Sequence, residues 1–85
     1  MTTEETGPEL TYGQKQVGLT FNPGKNEAVH QIKLKAAELI DEINDQRSMA
    51  MSAGRSGEIL AQYALGIRHA EDACDRAVKA ATWQY

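Results

Sequence analysis

One cysteine, Cys74, among 85 residues excludes an intramolecular disulfide, and two well-separated histidines, His30 and His69, offer no recognisable zinc-binding spacing. Long apolar runs are missing too: no stretch approaches the roughly 18 residues of a membrane span. The opening Met1-Thr2-Thr3-Glu4-Glu5 lacks the basic and apolar regions of a secretory leader. These absences lead us to expect a cytoplasmic chain with no cofactor and no structural metal. A single domain this short has a small core and usually depends on disulfides, metal or partners for support. With the first two excluded, self-association or a partner remains.

Charge of one sign is also scarce. Of the twelve acids, Glu4, Glu5 and Glu9 precede residue 11, and the remaining nine balance the nine Lys and Arg, so the net charge of -3 belongs to the N-terminus. A near-neutral body lacks the basic stripe that polymeric nucleic acid requires. A small phosphate-bearing ligand needs only a few local charges and stays open. Enzyme signatures are equally sparse, with no P-loop, dinucleotide fingerprint, HExxH or CxxC pattern. Ser, His and Asp are all present, but a helical chain gives them no nucleophile elbow or oxyanion hole. The expectation is a protein that is not an enzyme.

What is present is organised around Phe21-Asn22-Pro23-Gly24-Lys25-Asn26 and the helical run that follows it. Asn22-Pro23-Gly24 reads as a tight turn, with Pro presetting φ at the first central position and Gly supplying positive φ at the second. Asn26 sits where a helix wants its N-cap, and Glu27 suits the positive end of the helix dipole. An aromatic, a rigid turn and orphan backbone N–H groups therefore meet in one place, which can hold an anion. The same residues also read as no more than a well-made helix start.

Residues 1–10 read as disordered or loosely attached. Thr11 to Thr20 is too glycine-broken for a long element, yet Tyr12, Val17, Leu19 and Phe21 are a dense apolar set that should pack across a helical surface. In the first helix, Glu27 to Arg47, Val29, Ile32, Ala36, Leu39 and Ile43 recur at steps of three and four, and Ala37 and Ile40 widen the stripe. Residues 48–57 mark a connection, although Met49 to Met51 suit a longer helix. A second helix runs from about Glu58 to Thr82 on Leu60, Ala64, Ile67, Cys74, Val78 and Ala81, with the small Ala70, Ala73, Ala77 and Ala80 beside them. The fold class is all-α: an antiparallel two-helix hairpin with an irregular N-terminal segment. Residues 1–16 form a flexible or loosely packed segment and 17–85 the hairpin domain. Two helices cannot cover both flanks of such a unit, so a homo-oligomer with helix-on-helix interfaces follows.

Glu71 stands at the one seam position where an apolar residue is expected. It either fixes register or meets a ligand or base, or it is an edge residue paired with Lys or Arg. Arg68 with Asp72, Asp72 with Arg76 and Asp75 with Lys79 have i,i+4 spacing, which suffices for a solvated face laced with ion pairs. The alternative turns Arg68 or Lys79 toward a cavity between protomers, where a guanidinium or ammonium binds phosphate oxygens. His69 reads as a surface or interface residue rather than a metal ligand. Trp83 and Tyr85 read as cover for a helix end or an interface, and they, like Tyr12 or Phe21, suit stacking on a nucleobase.

Phe21-Asn22-Pro23-Gly24, Val29, Ile32-Lys33, Ala36-Ala37 and Leu39-Ile40-Asp41, with Glu71 and Ala77-Val78-Lys79-Ala80-Ala81-Thr82-Trp83 later, resemble the small phage anti-CBASS sponge proteins. Their helical hairpin is shared with larger phage anti-Thoeris sponges, and the resemblance covers roughly residues 17 to 83. It implies an oligomer, typically a hexamer, that sequesters cyclic oligonucleotide immune signals without cleaving them. Cyclic dinucleotides are held between protomers and, in some members, cyclic trinucleotides at separate sites on the symmetry axes. By that resemblance Phe21 is the stacking aromatic, Asn22, Pro23 and Gly24 supply backbone contacts, and Lys33 contacts phosphate. Arg68 matches the basic residue of the second type of site, and Lys79 matches a family position that faces either ligand or Glu71. Tyr12, Lys25, His69 and Glu71 stand as additional ligand-side candidates. Many relatives carry Trp or Met where this chain has Asp75-Arg76, which bears on pocket shape and ligand preference. Outside that resemblance, a helical module or inhibitor that docks on a host protein is the alternative.

Overall fold

Thr11 opens the first helix. Its hydroxyl accepts from the Gln14 N–H at 3.1 Å while the Gln14 side chain accepts from the Thr11 N–H at 3.0 Å, a reciprocal capping box. In the computed structural model, which describes residues 9–84, helix α1 (Tyr12–Val17) then ends on Gly18 in the left-handed conformation, φ 64°. The Leu19 N–H donates back to the Gln14 carbonyl at 3.0 Å and closes the helix end. A regular helix thus stands where the sequence suggested an irregular segment, because cap chemistry at both ends supports six residues that show no apolar period. The expected division between residues 16 and 17 falls inside this helix. Expectations for residues 1–8 and Tyr85 lie outside the described residues.

Helix α2 (Glu27–Ser52) starts as anticipated. Gly24 has φ 82°, the Lys25 N–H donates to the Asn22 carbonyl at 2.9 Å, and the Asn26 side chain accepts from the Val29 N–H at 3.1 Å. The helix continues through Met49 to Met51, and a short link at 53–56 leads to helix α3 (Gly57–Ala81), whose N-cap Ser56 accepts from the Ile59 N–H. Among the described residues the regular structure is all helix, with no strand.

Ala37, Ile40, Ile67, Ala70, Cys74 and Val17 form the buried cluster, with Leu19, Ile32, Ala36, Ile43 and Val78 packed against it. Ile43 of α2 meets Gly66 of α3, whereas Val29, at the other end of α2, shares a cleft with Val78 and Thr82. Contact positions therefore descend along α3 as they ascend along α2. The buried face of α2 is centred on Val29, Lys33, Ala37 and Ile40, and Leu39, placed by periodicity on the stripe, is 53% exposed. The reason is α1: it lies against Ala37 and Asp41 and draws the buried face round toward itself. Gly13 makes this approach possible, since a Cβ there would collide with the Ala37 carbonyl, and the Gly13 N–H donates to the Asp41 carboxylate at 2.7 Å. Val17 and Leu19 pack on the core as the dense apolar set suggested, but Tyr12 and Phe21 stay exposed.

Candidate functional site

Lys33 is the one buried charged side chain among the described residues, 7% exposed on the inner face of α2. Burying an ammonium is unfavourable unless its donors are satisfied. Its Nζ donates to the Phe21 carbonyl at 2.6 Å and to the Gly18 carbonyl at 3.0 Å, and lies 5.5 Å from the centre of the Phe21 ring. Lys33 thus ties the segment between α1 and α2 to the α2 surface through two carbonyls and a cation–π contact. An ammonium has three donors, so one hydrogen is not taken by these carbonyls.

Around this residue is a cleft of about 330 Å³ lined by Phe21, Asn22, Pro23, Val29, Lys33, Val78 and Thr82. It gathers four of the residues singled out in the sequence, Phe21, Asn22, Pro23 and Lys33. Phe21 stands at its rim, 71% exposed. The Asn22 amide is engaged locally: it donates to the Asn26 carbonyl at 2.9 Å and accepts from the Asn26 N–H at 3.1 Å. This clamp fixes the turn, so Asn22 contributes a rigid wall. Gly24 and Lys25 lie outside the lining; Lys25 is exposed and adopts φ 53°, an uncommon conformation for a residue with a Cβ. Val29, Val78 and Thr82, which the sequence assigned only to packing or a helix end, complete the cleft.

Lys79 faces elsewhere. Its ammonium lies 5.4 Å from the Trp83 ring centre rather than beside Asp75, and it lines a second cleft of about 290 Å³ with Thr82, Trp83 and Gln84. Thr82 belongs to both clefts, and its hydroxyl donates to the Val78 carbonyl at 2.9 Å. The Lys79-x-x-x-Trp83 spacing was the available signal for this pair.

Arg68 pairs with Glu71 at 3.2 Å instead of Asp72, and Arg76 reaches Asp72 at 3.6 Å. The other carboxylate oxygen of Glu71 accepts from the Gln16 side chain at 2.6 Å. Glu71 is therefore an edge residue that joins α1 to α3 and neutralises Arg68. Among the described residues Lys35 makes no ion pair with Glu38 or Glu42, and no cluster of His, Cys, Asp or Glu suited to a metal occurs. His69 is exposed on α3, and Tyr12 is at the exposed start of α1; neither lines the Phe21 cleft. None of the described helices is long and apolar enough to cross a membrane. Burial raises the Cys74 thiol pKa, the Asp75 charge adds to the rise, and the Lys33 ammonium opposes it.

No family model, curated protein or solved structure matches this chain.

Proposed function

We propose that this chain is a non-enzymatic sponge that binds and sequesters cyclic oligonucleotide immune signals, suppressing CBASS-type defence in an infected bacterial cell. In this reading α2 and α3 are an antiparallel hairpin that buries its exposed flanks in a homo-oligomer, a hexamer by the resemblance. The ligands are cyclic dinucleotides and, at a separate site containing Arg68, cyclic trinucleotides.

The observation that carries the reading is the juxtaposition of an exposed phenyl ring and a buried, pre-oriented ammonium in one cleft, Phe21 beside Lys33. A nucleobase stacked on the free face of such a ring gains roughly 1 to 3 kcal/mol, and the remaining Lys33 donor is available to a phosphate oxygen. Both groups are held by the turn and the two carbonyl bonds before any ligand arrives, which lowers the ordering cost of binding. A ligand with two bases and two phosphates exceeds a cleft of about 330 Å³. Its pseudo-twofold symmetry suits an isologous interface, where a second protomer presents the same aromatic and cation again.

The test is calorimetric titration with cyclic dinucleotides, followed by denaturation and recovery of the ligand. Sequestration returns it intact; recovery as linear nucleotide would make the protein a nuclease or phosphodiesterase. A second reading, a helical module that docks on a host protein, is favoured by the exposure of Leu39, Leu65, Met49 and Met51. It predicts no response to any cyclic di- or trinucleotide and stoichiometric capture of one host protein.

A further inference from the structure

Two aromatic–ammonium pairs stand on either side of Thr82: Phe21 with Lys33 at 5.5 Å and Trp83 with Lys79 at 5.4 Å. Each lines a small cleft, about 330 Å³ and 290 Å³, near the roughly 300 Å³ at which ligand pockets begin. A ligand larger than one of them must reach past its edge. The surface that continues the Phe21 cleft through a shared lining residue is the Trp83 cleft.

We propose that Trp83 and Lys79 form a second subsite of the same binding surface, taking a nucleobase on the indole and a phosphate oxygen on the ammonium. The inference rests on the cyclic-nucleotide reading for the chemistry of its ligand. Trp83 is 57% exposed although it is the largest side chain type, so an indole face is open to a planar group. The ammonium beside it is bound to no carboxylate among the described residues. Cation–π contact holds Lys79 where a phosphate joined to a stacked base arrives, and indole is the ring that holds a cation best. Thr82, its hydroxyl tied back to the helix, forms a small polar step between the two rings. The two subsites thus repeat one chemistry, ring plus ammonium, as a ligand with repeated base and phosphate requires.

Trp83 is the sole tryptophan of the chain, so its emission reports on this subsite alone. The wild-type protein is titrated with cyclic di-AMP and with cyclic GMP–AMP, with emission, heat and solution mass followed together. The expected result is saturable quenching of Trp83 at the calorimetric Kd. Trp83→Leu then weakens binding by about 5- to 150-fold, the range of one base stack, and Trp83→Phe restores most of the loss. Binding in the calorimeter with Trp83→Leu at wild-type affinity overturns the subsite and leaves the sponge reading standing, whether or not emission shifts with a change of mass. Absence of heat, quenching and mass change with both probes overturns the subsite together with the dinucleotide part of the sponge reading.

Discussion

Lys33 shows how one side chain sets local structure and chemistry at once. Its ammonium holds the Gly18 and Phe21 carbonyls, and the same contact positions Phe21 at the cleft rim. Phe21→Ala should lower cyclic dinucleotide affinity by about 5- to 150-fold, equivalent to roughly 1 to 3 kcal/mol, with little change in thermal stability. Lys33→Ala should lower affinity as well and, unlike Phe21→Ala, speed hydrogen exchange in residues 18–22. Wild-type affinity in both variants would place the pocket elsewhere. Cys74 provides a separate check on burial at this scale. Its raised pKa means that the unfolded chain releases the thiol proton first as pH climbs. Stability contributed by the neutral thiol is complete below the unfolded pKa and is lost as pH rises toward the folded one. Urea midpoints above pH 9 should fall more steeply for the wild type than for Cys74→Ala, and parallel curves would contradict the assigned burial.

At the scale of elements, the parts legible in the sequence were those written in local chemistry. Asn22-Pro23-Gly24 made its turn and Asn26 capped α2, since these effects need only neighbours within four residues. Asn26→Ala should destabilise the protein by about 1 kcal/mol in urea unfolding. Helix α1 was equally local, in Thr11-x-x-Gln14 and Gly18, but its six residues carry no apolar period and its glycines disguised it. What no periodicity could give was its docking. Gly13 against the Ala37 carbonyl and Gln16 to Glu71 join residues 24 and 55 positions apart, and they explain both the displaced stripe on α2 and the polar residue in the α3 seam. Gly13→Ala should release α1, raising hydrogen exchange over residues 12–17 while α2 and α3 retain their helical signal. Unchanged protection in that variant would contradict the close approach.

Across the whole molecule, the cleft was half legible. Phe21, Asn22, Pro23 and Lys33 were singled out and meet, whereas Val29, Val78 and Thr82 join them only because α3 returns to the start of α2. Arg68 reads from the sequence either as part of an ion-paired face or, by the resemblance, as a ligand residue; it lies beside Glu71, whose carboxylate any anionic ligand must displace or outcompete. If the trinucleotide site is separate, Arg68→Ala should weaken cyclic trinucleotide binding more than dinucleotide binding in paired calorimetric titrations; equal losses would argue for one shared site. Leu39, Leu65, Met49 and Met51 are exposed apolar side chains on α2 and α3. The proposed assembly would cover them, as would the alternative docking on a host protein.

Reversible sequestration of a cyclic nucleotide by an assembly of this chain, as proposed, is read out by native mass spectrometry of the protein mixed with cyclic dinucleotides. Sequestration requires an oligomer carrying ligand of unaltered mass. A monomer without ligand, or an assembly that returns only linear nucleotide, would contradict it.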